Sequence, residues 1–112
     1  MLNLVISGYL GQMGQTLSNL IINRDDMKLV AGIDRNGESN KTGIEVYKNI
    51  TDFKGECDVI IDFSNPSALE GLLDYSKFNN IPLVIGTTGY EENEMNKLKE
   101  ASNKIPIFYS AN

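Results

Sequence analysis

The feature that most restricts how this chain folds is Gly8-Tyr9-Leu10-Gly11-Gln12-Met13-Gly14, which joins an apolar run at residues 2–7 to an amphipathic segment beginning near Gln12. The reading is strand, glycine turn, helix. Backbone that turns sharply and approaches a ligand closely has little room for side chains, and a helix start offers unpaired N–H groups at a positive dipole end. Such a turn suits phosphate. Asp34 lies 20 residues beyond Gly14, at the end of a second strand-like run over residues 28–33. An acid at that distance accepts hydrogen bonds from an adenosine ribose. The spacing is Gly-x-x-Gly-x-x-Gly, so Tyr9 stands where the commoner fingerprint has its first glycine. Three glycines alone are also compatible with a plain turn. It is the strand before, the helix after and Asp34 that turn the reading toward a dinucleotide.

Beyond the turn, Leu10, Met13, Leu17, Leu20 and Ile21 recur at three and four residue intervals, which predicts a first helix with one apolar face packed on a sheet. Residues 23–26 end it, and residues 29–33 read as a buried parallel strand, closing a right-handed βαβ unit. Residues 36–43 are polar and read as an exposed loop. Residues 45–47 are expected as a short edge strand, and residues 49–53 as a turn or brief helix.

A β-branched strand over residues 58–63 follows, ending in Ser64-Asn65-Pro66, where Ser64 or Asn65 caps a helix carrying Leu69, Leu72, Leu73 and Ser76 inward. Residues 81–85 make another buried strand, with Gly86-Thr87-Thr88-Gly89 directly after it. A helix from about residue 91 to 102 turns Met95, Leu98 and Ala101 inward, and residues 105–109 form the last strand. Strands alternating with helices specify an α/β fold, a Rossmann-like parallel sheet with helices on both faces in a single domain. Ligands collect outside the carboxyl ends of such strands. Four stretches therefore share one rim: residues 8–14, Phe63-Ser64-Asn65, residues 86–89 and Ser110-Ala111-Asn112. Residues 63–66 also read as a helix cap and residues 86–89 as a tight turn.

Composition narrows the function. At 112 residues with 41% apolar content the chain holds one core, and its net charge of −5 gives no basic face for a polyanion. Nucleic acid is not an expected partner. An anionic cofactor would be held by local dipoles and a few cations, with Gly11, Gln12 and Arg35 placed to do so. No segment approaches the ~20 apolar residues that span a bilayer, so no membrane is expected and the expected compartment is the cytoplasm. Cys57 is the only cysteine and histidine is absent, which removes a disulfide, a cysteine metal cluster and the commonest general base. No metal site is expected.

Together these stretches resemble the 4-hydroxy-tetrahydrodipicolinate reductase family, formerly dihydrodipicolinate reductase, of diaminopimelate and lysine biosynthesis. The resemblance rests on residues 8–15, on Asp58-Val59-Ile60-Ile61-Asp62-Phe63-Ser64-Asn65-Pro66, on Val84-Ile85-Gly86-Thr87-Thr88-Gly89-Tyr90 and on Ser110-Ala111-Asn112. Ile-Gly-Thr-Thr-Gly after Asp-Phe-Ser-x-Pro at this distance is its most specific part. The resemblance spans the chain but only the amino-terminal half of the family's protein.

The resemblance implies that Gly8, Tyr9, Leu10, Gly11, Gln12 and Met13 hold the pyrophosphate of NADPH or NADH, and that Asp34 holds the adenosine ribose. Arg35 would favour a 2′-phosphate. Phe63 and Ser64 sit on the shared rim, while Gly86, Thr87, Thr88, Ser110, Ala111 and Asn112 lie toward the nicotinamide. An acid at Asp34 disfavours NADP and a guanidinium at Arg35 favours it, so both cofactors are expected to bind. Gln12 departs from the family's usual arginine and gives up a charge-assisted phosphate contact. The family's second domain, which supplies the substrate site, a histidine-rich stretch, a lysine and the homotetramer contacts, is expected to be missing. No catalytic acid or base is therefore expected within residues 1–112, and the chain alone is expected to be inactive. The competing readings are a free-standing, non-catalytic NAD(P)-binding or regulatory module, and a homoserine or semialdehyde dehydrogenase, against which Ile85-Gly86-Thr87-Thr88-Gly89 argues.

Overall fold

Six parallel strands form one sheet in the order β3-β2-β1-β4-β5-β6. They are β1 (Leu2–Ser7), β2 (Met27–Ile33), β3 (Val46–Tyr47), β4 (Val59–Asp62), β5 (Leu83–Ile85) and β6 (Ile107–Tyr109). Among the described residues, three α-helices alternate with them: α1 (Gln12–Ile22), α2 (Leu69–Asn79) and α3 (Glu92–Ala101). This computed structural model describes residues 1–37 and 43–110. The sheet winds outward in both directions from the β1–β4 pair, so the direction of winding reverses where the loops after Ser7 and Asp62 emerge.

The central strands form where apolar runs are buried, while β3 and β6 at the margins are only partly covered. One core cluster joins Val5, Ile60, Leu83 and Ile85 to Leu69, Leu72 and Leu73 of α2 and to Leu98 and Ala101 of α3. A second, smaller cluster joins Leu4, Ile6 and Leu29 to Tyr9 and Ile21, with Val59 and Ile61 packed against it. Pro66 starts a short 3-10 turn ahead of α2, and the Asn65 side chain accepts a hydrogen bond from the Ser67 N–H at 3.0 Å. α2 ends at Asn80 in the left-handed conformation, φ 55°.

The first helix is rotated from its expected setting. Its buried residues are Gly14, Ser18 and Ile21 with Leu17 partly covered, whereas Leu10, Met13 and Leu20 are 42%, 54% and 62% exposed. The cause is the turn that precedes it. A methyl group on Gly14 would stand 2.3 Å from the Gly8 carbonyl oxygen, so the helix is pressed against the turn along Gly14. That contact directs the small residues Gly14 and Ser18 at the sheet and swings the apolar flank outward. On α3, Leu98 and Ala101 are buried as expected, but Met95 stays 38% exposed.

On the face that carries α1, the half of the sheet beyond β4 is thinly covered. Ile61, Val84 and Phe108 lie side by side across β4, β5 and β6 and share that face by strand alternation. Phe108 is 68% exposed.

Candidate functional site

The loops that leave the carboxyl ends of β1, β2, β3 and β4 enclose a cleft of about 320 Å³. Ser7, Gly8 and Gly11 line it from the β1 side, Asp34, Arg35 and Asn36 from β2, Lys48 and Asn49 from β3, and Phe63, Ser64 and Asn65 from β4. It lies at the reversal of strand order, where an open parallel sheet presents its binding crevice.

Gly8 makes the approach of the two central loops possible. Its φ is +83°, and a side-chain carbon there would lie 2.6 Å from the Phe63 carbonyl oxygen. Within the turn, the Gly8 and Tyr9 N–H groups both donate to the Ile33 carbonyl, at 2.7 and 3.1 Å, and the Gly11 N–H donates to the Gly8 carbonyl. The Leu10 N–H donates to Asp34 Oδ2 at 3.0 Å. These four donors serve the fold. The first N–H groups of α1, on Gln12 and Met13, have no intrahelical acceptor by helix geometry. Gly11 caps the helix without any side-chain hydrogen bond, and the first turn contains no acidic residue. The positive end of α1 therefore meets the cleft bare.

The Tyr9 side chain turns inward from the rim. It is buried in the smaller core cluster, against Gly32, where an added methyl would stand 2.5 Å from the Tyr9 ring. Glycine at position 32 is what admits the ring, so Tyr9 offers the cleft backbone alone. Asp34 stands in the cleft with both carboxyl oxygens engaged, Oδ2 by Leu10 and Oδ1 by the Asn36 N–H at 3.0 Å. Each oxygen keeps a second lone pair for a ligand.

Toward β5 the rim continues through Phe63. Its ring packs against Gly86 so closely that a methyl there would lie 2.2 Å from ring carbon Cε1. Thr87 is buried and Thr88 exposed. The exposed Ser110 is held by its N–H to the Ile85 carbonyl at 3.0 Å. The expectations for Ala111 and Asn112 lie outside the described residues, as does most of the loop expected at residues 36–43.

Two features were not singled out from the sequence. Lys48, at the carboxyl end of the short β3, brings a second cation to the cleft beside Arg35. Asp62, the last residue of β4, is fully buried, and its carboxyl group accepts hydrogen bonds from Ser64 Oγ at 2.5 Å and Thr87 Oγ1 at 2.8 Å. Beside it lies Tyr90, whose buried hydroxyl makes no hydrogen bond of ordinary geometry. Burial first, then the Asp62 charge, holds that phenol well above its usual range, with the Thr87 hydroxyl pulling weakly the other way. An acid at the end of an apolar strand was the available signal for Asp62. For Lys48 it was the strand-end rule applied to β3.

The family described as "Dihydrodipicolinate reductase, N-terminus" matches residues 2–112. The 4-hydroxy-tetrahydrodipicolinate reductase of Clostridium novyi (strain NT) is 42% identical over 113 residues, covering 100% of this chain and 44% of that protein. That of Caldanaerobacter subterraneus subsp. tengcongensis is 39% identical over 112 residues, again 100% of this chain and 44% of the relative. The chain thus spans less than half the length of these curated relatives. Among solved structures, a dipicolinate-bound dihydrodipicolinate reductase from Paenisporosarcina sp. TG-14 superposes with a TM-score of 0.81 at 23% identity, covering 98% of this chain and 47% of the other. A myo-inositol 2-dehydrogenase from Lactobacillus plantarum gives 0.79 at 18% identity, over 97% of this chain and 36% of that one. At such identities the likeness is one of fold.

Proposed function

The chain belongs to the dihydrodipicolinate reductase family, matching its amino-terminal domain, and from that premise we propose that it is the part of a 4-hydroxy-tetrahydrodipicolinate reductase that holds NADPH or NADH. The observation that carries the reading is the uncapped start of α1 opening on a cleft that also contains Asp34, Arg35 and Lys48. A dinucleotide fits that donor set: N–H groups and two cations for the phosphates, a carboxylate for the adenosine ribose.

In this assignment the Gln12 and Met13 N–H groups and the bare Gly11 hold the pyrophosphate, with Gly8, Tyr9 and Leu10 shaping the turn behind them. Asp34 accepts from the ribose hydroxyls and Arg35 meets a 2′-phosphate when there is one. Phe63, Ser64, Gly86, Thr87, Thr88 and Ser110 border the nicotinamide end, and Ala111 and Asn112 join them on the resemblance alone. When bound, the reduced cofactor supplies the hydride. The residues of this chain would bind and orient it, and the Phe63 ring, packed on Gly86, would form part of the wall that keeps water from the nicotinamide end. Substrate binding, proton delivery and the homotetramer are assigned to the part of the relatives that lies beyond this chain. A cytoplasmic biosynthetic role goes with that assignment.

Calorimetric titration with NADPH and with NADH tests the proposal. Saturable one-to-one binding of both is expected, and Arg35→Ala should weaken NADPH about tenfold while sparing NADH, the scale of one lost charged hydrogen bond. Failure of either cofactor to bind at millimolar concentration would refute the reading.

A further inference from the structure

Asp62 is the one fully buried carboxyl group among the described residues, and it sits where the loop of β4 meets the loop of β5. As a stabilising device it is a poor choice, because burying a carboxyl group costs free energy that its hydrogen bonds only offset. Its partners indicate a different use. Oδ1 accepts from the Ser64 hydroxyl and, at 3.2 Å, from the Ser64 N–H, while Oδ2 accepts from the Thr87 hydroxyl. The Asp62 carbonyl accepts the Gly86 N–H at 2.8 Å. One residue thereby fixes two loops of the rim relative to each other.

A hydroxyl has one proton and two lone pairs. Ser64 Oγ gives its proton to Asp62, so toward the cleft, which Ser64 lines, it has only lone pairs left. It can accept a hydrogen bond from a ligand but cannot donate one. An anionic group at that point would meet oxygen lone pairs, whereas an N–H or O–H donor would be held.

We propose that Asp62 is a positioning residue of the cofactor cleft, which polarises Ser64 into an obligate acceptor and so selects a hydrogen-bond donor of the ligand at the end of the cleft away from Arg35. This rests on the dinucleotide reading above. Two donors of an NADH molecule meet the description, the carboxamide N–H and the hydroxyls of the nicotinamide ribose. Neither the phosphates nor a carboxylate does.

The test is titration of the full chain, as wild type, Ser64→Ala and Asp62→Asn, with NADH, with the reduced 3-acetylpyridine analogue, which lacks the amide N–H, and with ADP, which lacks both the nicotinamide and its ribose. Ser64→Ala preserves the backbone and should weaken NADH about tenfold, the scale of one hydrogen bond in a partly desolvated site. If the donor is the carboxamide, the acetylpyridine analogue already binds wild type more weakly and is unmoved by the substitution. If it is the ribose, both reduced cofactors weaken together. In either case ADP binds as before. Asp62→Asn brings an N–H₂ donor against one of the two hydroxyls and should reproduce the loss of NADH with ADP again spared. Equal losses for NADH and ADP in both variants would reduce Asp62 to a structural role, and unchanged NADH affinity in Ser64→Ala would overturn the proposal. A wild type that binds none of the three would instead refute the dinucleotide reading beneath it.

Discussion

The Leu10 N–H donates to the Asp34 carboxylate at 3.0 Å, so the residue expected to meet the adenosine ribose also pins the glycine turn from the neighbouring strand. Asp34→Ala should therefore damage fold and binding together. A charge-assisted hydrogen bond at a half-buried site is worth about 1–2 kcal/mol, and the loss should appear in the urea midpoint without ligand. Asp34→Asn, which keeps an oxygen for Leu10, should recover most of the stability. Equal stability of Asp34→Ala and wild type would remove Asp34 from the turn.

The glycines of the turn separate by what they do. Gly8→Ala places a side chain at φ +83° against the Phe63 carbonyl and should cost roughly 2 kcal/mol or more of stability, since the left-handed conformation alone costs about 1–2. Gly11 has φ −76°, and a methyl there meets only the Gly8 carbonyl, at 3.4 Å. Gly11→Ala should change stability by less than about 1 kcal/mol yet weaken NADH at least tenfold, because the methyl stands at the helix start that faces the cleft. Thermal melts and titrations on the same samples would show whether the two effects divide in this way.

Cys57 should be slow to react. Burial, with a smaller contribution from Asp58, pushes its thiol up to about 11. At pH 8 the native chain should be alkylated by iodoacetamide about ten- to a hundredfold more slowly than the urea-unfolded chain, following the thiolate fraction. The same shift has a consequence for stability. The unfolded thiol releases its proton near pH 9 while the folded one keeps it, so its contribution is full below pH 9 and is lost as pH rises toward 11. Tyr75 and Tyr90, both raised chiefly by burial, act in the same sense at higher pH. Cys57→Ala should flatten the fall in the urea midpoint between pH 9 and 11, and an unchanged slope would contradict the assignment.

The thinly covered sheet face makes a further prediction. Ile61, Val84 and Phe108 form a row across three neighbouring strands, and on the helix of the same face Met13 and Leu20 are also exposed. The native chain should enhance the fluorescence of an apolar-sensing dye, and Phe108→Ser with Leu20→Ser should lower the signal by about half or more while the melting temperature moves little. No change in fluorescence would mean that this surface is covered in solution.

Most of the architecture was legible because its elements are locally consistent. An apolar β-branched run announces β4, Asn65 and Pro66 announce the turn into α2, and the Leu69, Leu72, Leu73 and Ser76 stripe is buried as read. What periodicity could not supply was the rotation of α1. Its apolar arc is wider than the strip the sheet covers, and the contact of Gly14 with the Gly8 carbonyl decides which part goes inside. That is a tertiary fact with no local signature. The same holds in the site. Asp34 and Arg35 follow from spacing, but Lys48 enters the cleft through the pairing of a two-residue strand with β2, and the Tyr9 ring turns inward because Gly32, on that same strand, makes room for it. Asp62 was visible as a residue, and its purpose emerged only when Thr87, 25 positions away, was brought against it.

Because the strands are laid down outward from the β1–β4 seam, the two margins of the sheet are the places where this architecture tolerates revision. A strand added beside β6 or a longer excursion ahead of β3 leaves the seam, its two loops and the start of α1 untouched. The crevice at the middle is thus insulated from growth at the borders, which lets chains of very different total length carry the same central geometry.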